Sequence, residues 1–388
     1  MIDRVGIVGA GISGLTAGCA LRQCGIQVDI YERSKNISEF GAGITLSRNA
    51  TMLLAKLGVL ESLAKKSYKP TKSFIKDYKT AKEITSTNFS GFIAADRRDV
   101  VEALSKKYIQ LGGSLYTSRE VESVDEAEGF IFFSDKSKAQ VDLILACDGI
   151  RSILRDNNFD NSKPRFTNYV AWRGMSDVKK IPEFDGNDQV NLYLGPGSHA
   201  VHYPIGNEGK VNFVAVQRTE NWEEESWKTE GNQNHFLEAF SEWNDDVLQI
   251  FSAPEKVYRW GIFDRRQPSE LYKDKLVLLG DSAHPMVPFL GQGGCVSIED
   301  AYTLGFLVGE FRGDVGKALA CYQELRLKRG NWMQRRSNFQ GLFNHVTNPM
   351  LVNIRNLATK IFLNANVKNL HSFNAHAEVL TLLNKKIT

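Results

Sequence analysis

The chain has 388 residues, of which 42% are apolar and 24% are charged, and its 48 basic and 45 acidic residues give a formal net charge of +3. The length exceeds the roughly 250–300 residues at which a single hydrophobic core stops growing, so we expect two lobes and room to enclose a ligand. The composition excludes a disordered or membrane-spanning chain, and the small net charge argues against a nucleic-acid-binding protein.

The N-terminal segment reads as strand, glycine turn, helix and strand. Val5–Val8 is a short apolar strand, and Leu15–Leu21 is a buried helix after the turn Gly9-Ala10-Gly11-Ile12-Ser13-Gly14. Gln27–Tyr31 is the next strand and leads into Glu32. This order within about thirty residues predicts the βαβ unit of a doubly wound, Rossmann-like sheet.

Each residue of this fingerprint has a distinct expected role. Gly9 permits the tight turn, Gly11 lets the backbone approach a pyrophosphate, and Gly14 lets the helix pack closely on the strand. Glu32 would accept hydrogen bonds from a ribose with a free 2′-hydroxyl. The sequence contains one such fingerprint, which disfavours reductases with paired dinucleotide domains.

Along the middle of the chain, the predicted elements change from alternating helices and strands to mainly strands. The patterns predict helices at Asn49–Leu57 and Asp99–Leu111, with strands within Thr71–Asn88 between them. A strand meander is expected over Ser114–Phe133, and Tyr169–Val216 has the glycine- and proline-punctuated runs of an antiparallel sheet.

The C-terminal third of the chain is expected to contribute further strands and helices to the first lobe. A buried strand at Val141–Ala146 precedes the β-rich region, and Lys275–Leu279 is a second buried strand far along the chain. A helical stretch is expected at Phe236–Ile250, and long helices at Cys295–Phe311 and Val315–Arg329. The first lobe is therefore expected to be assembled from discontinuous segments.

Two more segments suggest a flavin. The strand at Leu276–Leu279 leads into Gly280-Asp281-Ser282-Ala283-His284-Pro285, followed by Pro288 and by Gly291-Gln292-Gly293-Gly294. Asp281 could bind ribityl hydroxyls, and the N–H groups of a helix N-terminus could stabilise negative charge on a reduced isoalloxazine. The second segment, Asp148-Gly149-Ile150-Arg151-Ser152, follows the other buried strand.

Together these segments resemble the signature motifs of the single-component, class A FAD-dependent aromatic hydroxylases, the family of para-hydroxybenzoate hydroxylase. The resemblance is strongest to the salicylate, 3-hydroxybenzoate and 6-hydroxynicotinate hydroxylase branch, with urate hydroxylase as a second neighbour. It implies FAD contacts from the following residues, with Arg98 as a possible substitute for Arg97: Gly9, Gly11, Gly14, Glu32, Arg33, Arg97, Asp148, Asp281, Pro288, Gly291, Gly293 and Gly294.

The resemblance also implies the activity and the domain division. An FAD-dependent monooxygenase of this family would use NADH or NADPH and O₂ to hydroxylate a small aromatic or N-heteroaromatic, phenolic acid-like substrate through a flavin C4a-hydroperoxide. The expected fold is α/β, with a Rossmann-like FAD-binding domain, an antiparallel β-sheet substrate lobe and C-terminal helices. We place the FAD-binding domain at 1–70, 97–165 and 270–345, the substrate domain at 71–96 and 166–269, and a helical segment at 346–388.

Two residues are candidates for the chemistry on the substrate. His199 and Tyr203, in a stretch that resembles the substrate-facing segment of that branch, lie four positions apart and so share one face of a strand, while His202 points away. A histidine and a phenol on one face could bind and deprotonate a phenolic substrate. The alternative is a Tyr–His pair packed under the sheet. No metal site is expected, and His284 is interpreted as structural.

Other functions remain open at this point. A flavin oxidase or an epoxidase acting on an isoprenoid or quinone precursor is the enzymatic alternative. A redox-sensing flavoprotein without turnover is the alternative outside enzymes.

The C-terminal segment, residues 348–388, contains a single acidic residue, Glu378. Its apolar positions recur at helical spacing, and Arg355, Asn356 and Lys360 lie on the opposite face. Such a helix is expected to pack on its own domain or on a second subunit of a homodimer, with peripheral attachment to an anionic membrane as the alternative. The apolar positions are Leu351, Ile354, Leu357, Ala358, Ile361 and Phe362.

The cysteine pattern and the first residues indicate the cellular compartment in which we expect the protein. The five cysteines are odd in number and form no C-x-x-C pair, which argues against a disulfide framework. The first residues lack the pattern of a signal peptide. We therefore expect a cytoplasmic protein.

Overall fold

The computed structural model describes residues 2–37, 42–181, 189–206, 209–220 and 229–387. The strands are β1 Arg4–Val8, β2 Gln27–Tyr31, β3 Gly43–Leu46, β4 Lys72–Asp77, β5 Glu83–Asn88, β6 Ile93–Asp96, β7 Ser114–Tyr116, β8 Val121–Asp125, β9 Phe130–Phe133, β10 Lys138–Gln140, β11 Leu143–Ala146, β12 Arg165–Asp177, β13 Gln189–Gly195, β14 Ser198–Ile205, β15 Lys210–Arg218, β16 Tyr258–Asp264, β17 Tyr272–Lys273 and β18 Leu276–Leu278. The helices are α1 Ile12–Gln23, α2 Arg48–Lys56, α3 Leu60–Lys65, α4 Arg97–Gln110, α5 Ile153–Asn158, α6 Gln233–Ala239, α7 Asp245–Ser252, α8 Gly293–Glu310, α9 Val315–Asn344, α10 Pro349–His371 and α11 Ala375–Ile387.

A six-stranded sheet, in the order β17-β18-β11-β1-β2-β7, carries the N-terminal motif. Its pairs are parallel except for the antiparallel edge pair of β17 and β18. The central strands are apolar and almost wholly buried, as parallel strands covered on both faces must be. Because the strand order reverses at β1, the carboxyl end of β1 opens into the crevice where doubly wound sheets bind ligands. The predicted α/β, Rossmann-like architecture is confirmed.

A seven-stranded sheet, in the order β16-β12-β15-β14-β13-β4-β5, forms the second layer. Its pairs are antiparallel except for β13 with β4. One face packs against α6 and α7, around Trp172, Phe213 and Phe236. The opposite face carries Ala171 and Trp260, which contact Val287 of the segment before α8. We call this second face the Val287 side of the sheet.

Two local predictions were wrong in this region. Only β8, β9 and β10 form the meander, because β7 at Ser114–Tyr116 instead pairs in parallel with β2 at the edge of the six-stranded sheet. The stretch at Phe236–Ile250 is divided between two helices, since Asn244 caps the start of α7 by accepting a hydrogen bond from the Val247 N–H.

Helix α9 continues to Asn344, well past the predicted end at Arg329. Gly330 follows that predicted end, where glycine often stops a helix. In the structure Gly330 is inside the helix, and a Cβ there would lie 2.3 Å from the His284 ring. The glycine therefore serves close packing and not termination.

Helix α10 lies in an orientation opposite to the predicted one. Arg355, assigned to the outer face, is buried, whereas Leu351, Ile354 and Leu357 are exposed. Helix α11 buries Val379 in the main core and packs against α8 and α9. Within the described segments, no helix is both long enough and apolar enough to cross a membrane.

Candidate active site

The glycine turn after β1 has the geometry that a pyrophosphate site requires. Gly9 has φ +104°, and a Cβ there would lie 2.4 Å from the Cys147 carbonyl oxygen. A Cβ on Gly14 would lie 2.0 Å from the Gly9 carbonyl oxygen, so this glycine is needed for helix packing. Around Gly11, among the residues that the structure describes, no atom beyond the adjoining residues lies within 4 Å of the Cβ position. Open space at Gly11 fits a ligand that approaches the backbone there.

The Glu32 carboxylate is hydrogen-bonded to the backbone of this turn. Its Oε2 accepts a hydrogen bond from the Ala10 N–H at 3.0 Å, and its Oε1 accepts one from the Ser34 N–H at 2.8 Å. The carboxylate is therefore held at the end of β2, beside the glycines. Arg33 is exposed next to it.

Asp148 is a half-buried residue just after β11, and its Oδ1 atom is buried. Its Oδ2 accepts a hydrogen bond from the Leu154 N–H at 3.4 Å, while Oδ1 has no hydrogen-bond partner among the residues that the structure describes. Burial raises the pKa of Asp148. A buried oxygen without a donor is costly, so this atom fits a site completed by the hydroxyl groups of a cofactor.

The two neighbouring arginines at the start of α4 have different environments. Arg98 is bound to Asp96, with Nε 3.0 Å from Oδ1, and Asp96 also caps the helix by accepting from the Arg98 N–H. The half-buried Arg97 follows β6, and its N–H donates to the Ala42 carbonyl oxygen at 2.8 Å. Engagement of Arg98 in the cap favours Arg97 as the arginine that would reach the cofactor.

The turn that carries Asp281 is held in place by hydrogen bonds to β11 and to Arg155. Ser282 Oγ donates to the Ala146 carbonyl oxygen at 2.6 Å, which ties the turn to the end of β11. The buried Arg155 donates to the carbonyl oxygens of Ser282 and Ala283 at 3.1 and 3.0 Å. Asp281 itself is exposed at the carboxyl end of the sheet. A sugar-alcohol chain lying along that edge could be bound there.

The segment from Pro288 to Gly294 leads into α8. Gly291 has φ +62°, and the buried Gln292 is held by two contacts, Nε2 to Ser47 Oγ at 2.9 Å and Oε1 to Asn49 Nδ2 at 3.1 Å. The first N–H groups of an 18-residue helix, at Gly293 and Gly294, are therefore presented by a rigid support. Pro288 is exposed at the start of the segment.

A buried ion network supports this end of α8, and the sequence reasoning did not identify it. Arg326 of α9 contacts Glu299 at 2.8 Å and Asp300 at 2.7 Å, and Asp300 accepts from the Gly280 N–H at 3.2 Å. Burial acts to raise the pKa of Glu299, but Arg326 and Arg329 outweigh it and the pKa is lowered. The network joins α8, α9 and the Asp281 turn.

The Val287 side of the seven-stranded sheet carries both predicted catalytic residues. His199 Nδ1 lies 2.6 Å from His345 Nε2, and the His199 ring packs edge-on against Phe289 at 5.5 Å. Tyr203 packs with Ala94 and other apolar residues further along the same strand. His202 lies on the opposite face, stacked on Tyr193, so the predicted alternation is correct.

Burial sets the protonation states of these groups. It lowers the pKa of His199 well below 6.5, and the neighbouring His345 ring lowers it further. It raises the pKa of Tyr203, with the Arg173 charge opposing the shift. At neutral pH His199 is therefore neutral and Tyr203 keeps its proton.

Arg173 and Asn212 are further polar residues on this face whose significance the sequence reasoning missed. Arg173 is buried, and its guanidinium lies 5.2 Å from the Trp260 ring centroid. Asn212 Oδ1 accepts from the Gly43 N–H at 2.8 Å, and its buried Nδ2 has no partner in the described part of the chain. Both residues line a cavity of about 380 Å³. The available signal was that these two polar residues interrupt strand segments of β12 and β15 that are otherwise largely apolar.

A second cavity, of about 340 Å³, lies beside the segment before α8. Val287 and Phe289 form its inner wall, together with Tyr169 of β12. Leu342, near the end of α9, lines it on the outside and is exposed.

Comparisons with known proteins identify the family of this chain. The family described as FAD binding domain matches residues 3–337. A 3-amino-4-hydroxybenzoate 2-monooxygenase of Streptomyces platensis is 30% identical over 348 residues, covering 87% of each chain, and a salicylate hydroxylase of Pseudomonas putida is 28% identical over 380 residues, covering 90% of this chain and 87% of the relative. The crystal structure of Klebsiella pneumoniae HpxO complexed with FAD and uric acid superposes with a TM-score of 0.80 at 24% identity, covering 97% of this chain and 95% of that chain.

Proposed function

Because the chain belongs to the FAD-binding-domain family of class A aromatic hydroxylases, we propose that it hydroxylates a phenolic aromatic or N-heteroaromatic compound, with NADH or NADPH and O₂ as co-substrates. The observation that carries the proposal is the position of His199 and Tyr203 on the sheet face that meets the segment before α8. A substrate ring between them would lie against the N-terminus of that helix.

We further propose which residues hold the cofactor. Gly9, Gly11 and Gly14 would receive the pyrophosphate, Glu32 with Arg33 the adenosine ribose, and Arg97 with Asp148 the middle of the molecule. Asp281 would bind the ribityl chain, and the segment containing Pro288, Gly291, Gly293 and Gly294 would lie along the isoalloxazine. Bound FAD would supply the redox chemistry, namely electron transfer from the nicotinamide and activation of O₂.

The role of His199 is to accept the proton of the substrate hydroxyl. When its Nδ1–H donates to His345 Nε2, its Nε2 is left as the free acceptor of a neutral imidazole. Removal of the phenolic proton makes the ring electron-rich, which electrophilic oxygen transfer requires.

Tyr203 acts as a hydrogen-bond donor. Its raised pKa keeps the phenol protonated, so it can orient and stabilise the developing phenolate of the substrate. Arg173 and Asn212 add positive charge and an unused N–H donor on the same face. This environment favours substrates that carry an acidic group.

The test is a screen of phenolic acids and N-heterocycles with the FAD-loaded enzyme. The expected result is stimulated NAD(P)H consumption together with a hydroxylated product. Stimulated consumption that yields only hydrogen peroxide with every compound would instead identify an oxidase, and no stimulation by any compound would favour a flavoprotein without turnover.

A further inference from the structure

Helix α10 exposes its apolar side. The exposed fractions are 51% for Leu351, 55% for Ile354, 60% for Leu357 and 61% for Ile361, at spacings of three and four residues. This spacing places the four side chains along one stripe of the helix. Single exposed apolar residues are ordinary on a protein surface, but a continuous stripe is a feature of binding surfaces.

The orientation of α10 is fixed by polar contacts on its other side. The buried Arg355 donates from Nη1 to the Asn344 carbonyl oxygen at 3.2 Å, at the end of α9. Thr359 is also buried and donates to the Arg355 carbonyl oxygen at 2.8 Å. The apolar stripe is therefore held outward by the packing of the rest of the helix.

The end of α9 also exposes apolar side chains. Phe339 and Leu342 are 52% and 69% exposed, and the α9 and α10 helices are separated only by residues 345–348. The Arg336 guanidinium lies 5.3 Å from the Phe339 ring centroid. We call the exposed apolar residues of this corner the α9–α10 surface: Phe339, Leu342, Met350, Leu351, Ile354, Leu357 and Ile361.

The charge of this region is strongly one-sided. Residues 325–377 contain no Asp or Glu but eight basic residues. Arg326 and Arg329 are bound to the buried Glu299, while Lys328, Arg335 and Lys360 are exposed. The acids on adjoining strands include Asp77 of β4, whose charge acts on Arg355, and Glu83 of β5. Asp264 of β16 is paired with Arg165. The eight are Arg326, Lys328, Arg329, Arg335, Arg336, Arg355, Lys360 and Lys368.

We propose that the α9–α10 surface attaches the protein to an anionic lipid bilayer. The apolar stripe would enter the boundary between the lipid headgroups and the acyl chains. The exposed cations Lys328, Arg335 and Lys360 would contact lipid phosphates. A second copy of this chain is a poorer partner, because pairing this surface with itself would bring two cationic regions together. A bilayer supplies the opposite charge and an apolar layer at once.

Attachment of the α9–α10 surface to a bilayer would also determine how the second cavity is oriented relative to the membrane. Leu342 belongs to the α9–α10 surface and lines the cavity whose inner wall is Val287 and Phe289. The cavity would therefore open toward the bilayer, although the attachment itself does not depend on the proposed reaction.

The test is co-sedimentation of the full-length FAD-loaded protein with two kinds of vesicle. We expect binding to mixed phosphatidylglycerol and phosphatidylcholine vesicles, much weaker binding to pure phosphatidylcholine, and loss of binding as salt increases. The triple variant Leu351→Ser, Ile354→Ser, Leu357→Ser should bind at least about tenfold more weakly. Ile109→Ser is the matched control, because Ile109 is 50% exposed on α4, away from this surface, and should bind like the unmodified protein.

Flavin content and thermal unfolding verify that each variant is folded. Lys360→Gln, which removes an exposed charge, should weaken binding to the anionic vesicles. The proposal is overturned if the unmodified protein does not bind either vesicle or if the folded triple variant binds normally. It is also overturned if sedimentation velocity shows a dimer that the triple variant loses while vesicle binding is absent, since the surface would then be a subunit interface.

Discussion

His199 Nδ1 and His345 Nε2 lie 2.6 Å apart, joining the start of β14 to the residue that follows α9. When both rings are neutral, one of these two nitrogens donates its N–H and the other accepts, so the tautomer of each ring depends on the other. Burial lowers the pKa of His345 to about 4, so it too is neutral near neutral pH. The contact therefore determines which nitrogen of His199 faces a substrate.

Replacing His345 should change the pH dependence of turnover. Below its pKa, His199 is protonated and cannot accept a proton, so kcat/KM should fall on the acid side. The His345 ring helps to lower the pKa of His199, and His345→Phe should therefore move this acid limb to higher pH. The pH profile of kcat/KM measures the shift. His202→Phe, on the other face of β14, should leave the limb in place, and an unchanged limb in His345→Phe would refute the coupling.

Tyr203→Phe should lower substrate-dependent turnover by roughly 10²–10³-fold, because a hydrogen bond to the developing phenolate is lost. FAD binding should be unaffected, since Tyr203 lies on the seven-stranded sheet and not among the residues proposed to hold FAD. Steady-state kinetics and flavin absorbance measure the two effects. Tyr193→Phe is the control, a buried tyrosine on the opposite face of the sheet. Equal activity of both variants would leave Tyr203 with a packing role.

Gly11→Val should yield folded protein without FAD, because the side chain would occupy the place of the pyrophosphate. Flavin absorbance and circular dichroism measure cofactor content and folding. Gly313→Val is the matched control, since a Cβ at Gly313 also meets no atom within 4 Å but lies far along the chain, before α9. Full FAD content in Gly11→Val would show that the pyrophosphate is bound elsewhere.

Arg326→Met should destabilise the protein by about 3–5 kcal/mol, because Glu299 and Asp300 would lose a buried counter-charge. Urea unfolding of the FAD-loaded protein measures the free energy. Arg335→Met removes an exposed arginine of the same helix and should change stability by less than about 0.5 kcal/mol. A similar loss in both variants would contradict a specific role for the network.

Features that depend on local sequence were predictable. Gly9, Gly14 and Glu32 lie within one βαβ unit, so their spacing alone indicates the turn that the structure shows. The face shared by His199 and Tyr203 follows from strand alternation in the same way.

Features that depend on distant partners were not predictable. Arg173, Asn212 and His345 gain their significance from neighbours far away in the chain, such as Gly43 and His199. The orientation of α10 was wrong because apolar periodicity predicts a buried stripe, whereas the contact of Arg355 with Asn344 buries the polar side. A periodic pattern identifies the helix but does not identify which side is covered.

The central claim, that the chain is an FAD-dependent aromatic hydroxylase, is tested most directly by product analysis under ¹⁸O₂ with a substrate found in the screen. One ¹⁸O atom in the new hydroxyl group for each NAD(P)H consumed is the predicted result. A product that carries oxygen from water, or NAD(P)H oxidation that only forms labelled hydrogen peroxide, would contradict the claim.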